Sequence, residues 1–462
     1  MPSSCPPTQT SDSGSESGVA GTEADEGGNP ADRRSAIVAC ESRNLIVLAL
    51  HHVVLRVAWI FKTESVIMPA FMDAISGAGW LRGCLPLFNR VGQSVPSLAF
   101  SECVRQVRRK KRALFGFTVG MAAAFLVLSL LWFVVEDKRA AWLPAVFLLL
   151  YFLFFTSTGL NQLAFGTLQG KLIRPHRRGR LMGLAGTFGA VPAIVCAWFL
   201  LRAWVGLPDG GFGFIFLFAG AGFLVAAFVA LAIVEPADER IAPRQSTRHI
   251  FRDALAAVRS DRDFRNFCAV AMLFMSAQML FPHYQALGRR QSGFDPVQLM
   301  IWVVAQSAGA GIFSPLAGAI ADRFGNRRAL RWEIAAITLT PLLALALTGN
   351  GIGLEFYWLT FFLLGLVPVT MKTMMNYTLE LCEPDKHPQY LSTAKVCMAL
   401  PFALSPAFGL LIDAAGFEAG FVAISMLIFT GGLLTLRIPE PRIVTSKSVG
   451  ERTTEGTEHA EG

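Results

Sequence analysis

Ionisable side chains within long apolar stretches are the residues of this sequence whose types and positions point to chemistry. A charge at membrane depth costs roughly 2.5–3.5 kcal/mol on insertion scales, so each one needs a partner, water or a function. The cations placed in this way are Arg56, Lys62, Arg90, Lys372 and Lys395. The carboxylates are Glu64 and, at the end of an apolar stretch, Glu380. Cations therefore outnumber carboxylates in the part of the chain least able to hold charge.

A bound anion would relieve this excess of buried cations, so the pattern predicts a solute that carries a carboxylate or phosphate group. Polar residues on other apolar stretches extend the set. The candidate solute-binding residues are Arg56, Lys62, Arg90, Asn161, Gln162, Gln278, His283, Lys372, Asn376 and Lys395. Two alternatives remain open. The side chains of Lys372 and Lys395 can reach the membrane surface, and the amides can form hydrogen bonds between helices.

Glu64 and His52 are the candidates for carrying a proton. A carboxyl group in surroundings of low dielectric constant can take up a proton near neutral pH, and histidine titrates in the same range. The alternative for His52 is a packing role. On a regular helix Lys62 and Glu64 lie about 200° apart, so one of them is expected to pack against a neighbouring helix. Arg82 is at a suitable depth to pair with Glu64.

The elements that must position these residues are membrane-spanning helices. The chain has 462 residues, of which 53% are hydrophobic and 16% charged, and its mean hydropathy is +0.48. A soluble domain has about 25% charged residues, so this composition excludes a soluble protein, a disordered one and a typical nucleic-acid binder. Twelve candidate spans, numbered 1 to 12, are predicted at 45–71, 80–103, 113–135, 141–166, 180–205, 212–234, 264–288, 297–320, 329–349, 354–378, 389–413 and 417–437.

The distribution of basic residues predicts how the spans are oriented. With both ends of the chain in the cytoplasm, about 30 of the 41 Lys and Arg residues lie in cytoplasmic segments and about six in external loops. The prediction is an all-α membrane protein with a six-helix half at 45–234, a cytoplasmic loop at 235–263 and a second six-helix half at 264–437.

Three polar segments complete the predicted organisation. Residues 1–44 and 438–462 are expected to be disordered cytoplasmic tails, because they are rich in Ser, Gly, Glu and other polar residues. Between the halves, Phe251, Leu255 and Val258 share one face of a helix. This pattern favours either a helix on the membrane surface or a solvated linker helix.

The most specific string in the sequence, GAIADRFGNRR, runs from Gly318 to Arg328 at the end of span 8. It resembles the loop signature of the major facilitator superfamily, G-x-x-x-D-R-x-G-R-R. The Arg178-Gly179-Arg180 string is similar to the loop between helices 4 and 5 of the same family. The resemblance extends over the chain between its two tails. It implies two six-helix halves that rock about a central site.

The resemblance also implies that this string gates the transporter without touching the solute. The candidate gating residues are Gly318, Asp322, Arg323, Gly325, Arg327, Arg328, Arg178 and Arg180. A short aspartate at a helix end can accept N–H bonds from a neighbouring helix and pair with an arginine, which holds two helices together in one state. The first half departs from the pattern, because the loop after span 2 has no D-R-x-G. The family's antiporter signature on helix 5 is also absent, which removes support for drug–proton antiport.

The predicted function is secondary active transport of a small polar solute, anionic by hypothesis, across the cytoplasmic (inner) membrane, with proton coupling. The sequence has no phosphate-binding glycine loop and no metal-spaced cluster, so neither a cofactor nor an enzymatic activity is expected. The expected partners are the solute and the lipid bilayer, with no nucleic acid, and the protein is expected to be a monomer. The alternatives are a multidrug or lipid exporter of the same fold, and a transporter-like membrane sensor or scaffold.

Overall fold

The computed structural model describes residues 30–100, 104, 106–237, 247–292, 296–349, 353–383 and 386–440. Every regular element in these residues is a helix, and no strand occurs among them. The predicted all-α fold is therefore confirmed. Most of the two predicted tails, 1–29 and 441–462, lies outside the described residues.

The first half contains spans 1 to 6. The first helix of span 1 begins at Pro30, and its segment apolar enough to cross a membrane begins at Ala39, earlier than predicted. The helices are Pro30–Ile60 and Ile67–Ile75 in span 1, Gly79–Ala99 in span 2, Lys110–Val134 in span 3, Leu143–Leu172 in span 4, Pro175–Cys196 with Arg202–Val205 in span 5, and Phe212–Leu231 in span 6. A π-helical turn, Ala197–Leu201, joins the two parts of span 5.

The second half contains spans 7 to 12, and a helix at Thr247–Ser260 precedes it in the predicted loop. In that helix Ala257 is buried and Leu255 is half exposed. The helices of the second half are Arg262–Met275 and Phe281–Ser292 in span 7, Pro296–Phe324 in span 8, Asn326–Gly349 in span 9, Trp358–Leu364 and Leu366–Glu380 in span 10, His387–Ala399 in span 11, and Ser405–Leu434, which ends span 11 and forms span 12.

Ten helical segments of the described residues are long and apolar enough to cross a membrane, and the predicted twelve are consistent with them. Gly79–Ala99 is absent from the ten because Arg82 and Arg90 lower its hydropathy. The segment Gln389–Arg437 is counted once, although Gly416 interrupts it with a φ of 87°. Spans 11 and 12 therefore meet at Gly416, whose positive φ disfavours other residues.

Aromatic side chains fill the interior of each half. In the first half Phe71 contacts Phe147 and Phe216, with ring centroids 4.8 and 4.9 Å apart. In the second half Trp302 stacks on Phe361 at 4.9 Å. Such pairs add about 0.5–1.5 kcal/mol to the burial of the rings. Aromatic packing thus contributes to the interior of both halves, and the buried residues of the two halves form one continuous core.

The halves approach each other closely where spans 2 and 11 cross. A Cβ on Gly83 would collide with the Ser405 carbonyl oxygen, and a Cβ on Gly409 would collide with that of Gly79. Small residues allow helix backbones to come this close within a membrane. We call the end of the bundle near this crossing the distal end. The opposite end, which carries Glu440, is the terminal end.

Candidate functional site

Span 1 breaks at the level of the predicted charged pair. Its first helix ends at Ile60 and the next begins at Ile67, with turns between them. Because this segment is not a regular helix, the expected separation of Lys62 and Glu64 does not apply. The Lys62 ammonium nitrogen lies 2.8 Å from Glu64 Oε1. The 200° separation of a regular helix is therefore not observed, although Lys62 does pack against span 4.

Lys62 is fully buried, and aromatic rings surround its ammonium group. The nitrogen lies 3.2 Å from the centroid of the Trp59 ring and 4.4 Å from that of Phe155. The negative faces of aromatic rings attract a cation. The charge of Lys62 is therefore held by one carboxylate and by rings from spans 1 and 4.

Glu64 also contacts span 2 through its second oxygen. The side-chain amide of Asn89 donates a hydrogen bond to Glu64 Oε2, and the amide of Gln93 donates one to Asn89 Oδ1. Asn89 and Gln93 are four residues apart and so share one helix face. The Glu64 side chain keeps 23% of its surface exposed. Both carboxylate oxygens therefore have partners, and part of the side chain is still exposed.

Arg82 does not pair with Glu64, although its depth in the sequence allowed that pairing. Its Nη1 lies 2.6 Å from Asp73 Oδ1 and donates to the Gly77 carbonyl oxygen at 3.1 Å. Asp73 is the nearer partner because both residues lie at the distal ends of their helices.

Arg90 reaches from span 2 across to the second half. Its Nε donates to Gln278 Oε1 at 3.1 Å, and an Nη lies 3.5 Å from the sulfur of Met371. The guanidinium also lies over the Phe402 ring, 5.5 Å from its centroid. Within the described part of the chain, no carboxylate forms an ion pair with Arg90. Neutral groups on spans 7, 10 and 11 therefore hold this cation at the interface of the halves.

A small cavity of about 10 Å³ lies beside this cluster. Its lining residues are Glu64, Leu85, Pro86, Asn89, Tyr151, Gln278 and Phe281. The volume is near the lower limit for one water molecule. The buried hydroxyl of Tyr151 has no hydrogen-bond partner in the structure. The cluster is thus largely filled by its own side chains in this conformation.

A second group of cations lies nearer the terminal end. His52 and Arg56, one turn apart on span 1, interact electrostatically with Lys372 of span 10. Arg56 packs on Gly189, where a Cβ would lie 2.9 Å from Arg56 Cδ. Lys372 and Lys395 are exposed. Among the described residues, none of these cations has an ion-pair partner.

The adjacent histidines of span 1 have different surroundings. His51 is fully buried, and its Nδ1 lies 2.8 Å from the Ala226 carbonyl oxygen on span 6. His52 lies against Phe165, with ring centroids 5.2 Å apart, and faces Arg56. Packing explains His51, whereas His52 lies in the second group of cations.

Other predicted binding residues lie away from the cluster around Glu64. Asn161 donates to Thr118 Oγ1 at 2.7 Å, which joins spans 4 and 3. His283 is fully buried against Phe408. Gln162 and Asn376 are exposed. Of the ten candidate residues, the structure brings together Lys62, Arg90 and Gln278 in one group, and Arg56 and Lys372 in another.

Ion pairs at the distal end connect the two halves. Asp73 of span 1 lies 3.8 Å from Arg289 of span 7, in addition to its pair with Arg82. Arg82 also lies 3.9 Å from Asp413 of span 11. Asp73 and Arg82 belong to the first half, and Arg289 and Asp413 to the second. We call these four residues the distal latch.

At the terminal end, the carboxylates Glu41 and Glu235 tie helices together within the first half. Glu41 pairs with Arg174 at 2.7 Å. Glu235 accepts the backbone N–H bonds of Lys110 and Lys111 at 2.9 and 2.8 Å, and so caps the N-terminus of span 3. A carboxylate at this place is favoured by the helix dipole. Sequence reasoning missed Glu41 because residues 1–44 were expected to be a tail.

The string at Gly318–Arg328 lies at the terminal end of the second half. Gly325 turns the chain with a φ of 90°, and a Cβ there would collide with the Glu440 carboxylate. Arg327 donates to the Ile438 carbonyl oxygen at 3.0 Å and lies 3.8 Å from Glu440. Arg323 and Arg328 flank the Phe324 ring, and Asp322 and Gly318 are exposed. The side chains of Arg178 and Arg180 lie outside the described ones.

A further buried carboxylate, Glu333, was missed because span 9 looked almost free of charge. Its side chain is fully buried and accepts a hydrogen bond from Thr373 Oγ1 of span 10 at 2.9 Å. Glu333 is the last charged residue of this helix, at the point where its arginine-rich first turns give way to the apolar stretch.

Comparison with known proteins supports the fold. A family model described as Major Facilitator Superfamily matches residues 267–459. No curated protein matches the sequence significantly. With this match to the second half, the resemblance to that family is confirmed.

Solved transporter structures resemble nearly the whole described chain. A mutant of the nucleoside transporter NupG has a TM-score of 0.68 and 11% identity, with 85% of this chain and 99% of that one covered. A POT family transporter in complex with 5-aminolevulinic acid has a TM-score of 0.67 and 13% identity, with 87% and 96% covered. A variant of the E. coli fucose:proton symporter FucP has a TM-score of 0.55 and 14% identity, with 85% and 97% covered. One fold thus carries several cargoes.

Proposed function

We propose that this chain, which has the major facilitator fold, is a secondary transporter that carries a small polar anion across the cytoplasmic membrane by alternating access. The observation that supports the proposal best is Arg90. It is a cation at the interface of the halves, held by neutral groups of the second half, and none of the described carboxylates lies within ion-pair distance of it. A carboxylate or phosphate of the solute would supply the missing charge.

The second group of cations supports the same solute class. Arg56, Lys372 and Lys395 have no ion-pair partner among the described residues, and both lysines are exposed. Their positions lie between Arg90 and the terminal end. They would attract an anion toward Arg90 from that end. The bias of basic residues favours a cytoplasmic terminal end.

Glu64 is the proposed coupling group. It balances Lys62 and also faces the small cavity beside Arg90. A proton on Glu64 would remove the counter-charge of Lys62 and change the field at Arg90. Proton uptake and anion binding would then favour each other, which is the linkage a symporter requires.

Uptake into proteoliposomes tests the solute class. A panel of organic anions, sugars, amino acids and lipophilic cations is offered to the wild type and to Arg90→Ala, Arg56→Ala and Arg202→Ala. Loss of a charge-assisted bond corresponds to about a ten- to hundredfold loss, so we expect at least tenfold slower anion uptake by Arg90→Ala. Arg202 is exposed at the distal end of span 5 and serves as the control. Unchanged transport of every anion by the Arg90 and Arg56 variants would reject the anionic solute.

The coupling role is tested with Glu64→Gln in the same vesicles. Glutamine keeps the size of the side chain and one acceptor oxygen but cannot take up or release a proton. We expect loss of accumulation driven by a proton gradient, with exchange of solute at equilibrium retained. A variant that still accumulates solute with the wild-type dependence on the gradient rules out Glu64 as the coupling group.

The filled cluster favours one competing function. Because the cavity beside Glu64 holds about one water, a transporter-like sensor or scaffold that never opens is compatible with this conformation. Such a protein would bind ligand without moving it. Ligand-dependent stabilisation of the purified protein, combined with no uptake or exchange of that ligand by the wild type, would identify a sensor.

A further inference from the structure

An open cavity lies at the distal end, apart from the cluster around Arg90. Its volume is about 320 Å³, within the range of small-molecule sites. Its lining residues are Asp73, Arg82, Ala286, Arg289, Arg290 and Phe417. The spans that supply them belong to both halves, so the cavity lies on the line along which the halves separate. We call it the distal vestibule.

The geometry of the vestibule already holds a carboxylate. Asp73 lies between two guanidinium groups, with Oδ1 2.6 Å from Arg82 and Oδ2 3.8 Å from Arg289. One arginine comes from each half. The contact with Asp73 shows that the guanidinium of Arg289 is placed where it can meet an anion in the vestibule.

Arg290 adds a cation that the latch does not use. Its side chain is exposed, and its guanidinium lies over the Phe417 ring, 5.9 Å from the centroid. Within the described residues it has no ion-pair partner. The vestibule lining thus carries three arginines against one aspartate, and one of the arginines is open to a ligand.

We propose that the distal vestibule is a second anion-binding site, which takes a carboxylate or phosphate group between Arg290 and Arg289. An anion bound there competes with Asp73 for Arg289. Binding therefore weakens the distal latch, so an anion in the vestibule helps to open this end. The site does not depend on the solute-binding role of Arg90, because it is built from other residues at another depth.

Equilibrium binding of radiolabelled phosphate and citrate to the purified full-length protein tests the site. The variants are Arg290→Gln, Arg290→Lys, Arg90→Gln and, as a matched distal arginine outside the vestibule, Arg202→Gln. We expect Arg290→Gln to weaken one binding component by at least about tenfold, the size expected for one charge-assisted bond. Arg290→Lys restores part of it, and Arg90→Gln and Arg202→Gln leave that component unchanged. Melting temperatures without anion check that each variant is folded.

The opposite results overturn the proposal. If the wild type and Arg290→Gln bind both probes equally, or if the wild type binds neither, there is no anion site in the vestibule. Loss of all binding in Arg90→Gln alone leaves the proposed transport function standing and removes this one. Loss of one binding component in Arg290→Gln, with no loss in Arg90→Gln, supports the vestibule site and removes the proposed transport function.

A second arm distinguishes a free anion from a lipid headgroup. The protein is placed in nanodiscs of phosphatidylcholine, with or without phosphatidylglycerol. Competition of phosphatidylglycerol with phosphate in the wild type, absent in Arg290→Gln, assigns the site to the lipid phosphate. Phosphate binding that is indifferent to phosphatidylglycerol assigns it to soluble anions. Either result requires the site at Arg290.

Discussion

At the scale of single residues, the closest contact between opposite charges in the central site is that of Lys62 with Glu64. Helical periodicity separates the two residues, yet the break after Ile60 brings them within 2.8 Å. A fully buried ammonium needs a partner, because the uncompensated charge is costly in surroundings of low dielectric constant. The sequence identified both residues as unusual, but their contact depends on a turn that periodicity does not reveal.

Replacing Lys62 by Met is expected to lower stability. The variant removes one member of a buried pair and leaves Glu64 with Asn89 alone. Removing one partner of a fully buried pair costs about 3–5 kcal/mol, and the partial exposure of Glu64 reduces this to about 2 kcal/mol. The melting temperature of the purified protein measures the effect.

The double variant Lys62→Met/Glu64→Gln is the control for this prediction. It removes the charges of both members of the pair, so neither Lys62 nor Glu64 is left uncompensated, and it should melt above the single variant. A double variant that melts as low as the single one would show that Lys62 stabilises the protein through the Trp59 and Phe155 rings instead of through the ion pair.

At the scale of elements, the crossing of spans 2 and 11 closes the distal end. The backbones touch through Gly83 and Gly409, with no space for a side chain. Glycine occurs in sequences for many structural reasons, so the sequence alone does not distinguish these two residues among its 42 glycines. Their importance comes from which helix faces them, and that depends on how the halves dock.

Gly83→Val is expected to push spans 2 and 11 apart. The new side chain meets the Ser405 carbonyl oxygen, which belongs to backbone and cannot rotate away. Overpacking of this kind costs about 1–3 kcal/mol and here acts on the closed distal end. Increased alkylation of cysteines introduced at that end, together with slower transport, measures the effect.

Gly116→Val is the matched control, since no atom lies within 4 Å of the position that a Cβ would take there. It should leave labelling at the distal end and transport unchanged. Equal labelling of the Gly83 and Gly116 variants would show that the crossing does not hold the distal end closed.

Each half has a glutamate in a similar position at its terminal end. Glu235 follows span 6 and Glu440 follows span 12, each before a proline in the sequence. Glu235 caps the N-terminus of span 3, and Glu440 lies at the turn before span 9 beside Arg327. The gating string was predicted around Asp322, but its observed carboxylate partner, Glu440, lies far away in the sequence.

At the scale of the whole molecule, the ion pairs between the halves lie at the distal end, as far as the described residues extend. The Glu41, Glu235 and Glu440 pairs of the terminal end stay within one half. This distribution is that of a bundle closed distally. In the proposed transport cycle, the distal latch would have to break while the contacts within each half persist.

Asp73→Asn is expected to favour the distally open state. Asparagine removes the charge that attracts Arg289 of the second half, so the closed state loses an attraction that is absent once the halves separate. We expect about a tenfold shift of the population, equivalent to about 1.4 kcal/mol. Distances between spin labels on the distal ends of spans 2 and 11 measure the shift.

The control for Asp73→Asn is Asp137→Asn, which changes an exposed carboxylate in the loop between spans 3 and 4. It should leave the distance distribution unchanged. If both variants keep the wild-type distribution, Asp73 does not hold the halves together.

The sequence by itself determined the apolar helices, the membrane class and the family resemblance, because hydropathy and a local signature depend only on neighbouring residues. It also identified Arg90 and Glu64 as ionisable residues at membrane depth, each of which needs a partner, water or a function. Only the tertiary structure decided their partners. Glu64 contacts Lys62 across a helix break, Arg82 turns to Asp73, and Arg90 meets the second half. Those pairings depend on where helices end and how the halves dock, which is a property of the packed bundle and not of any one segment.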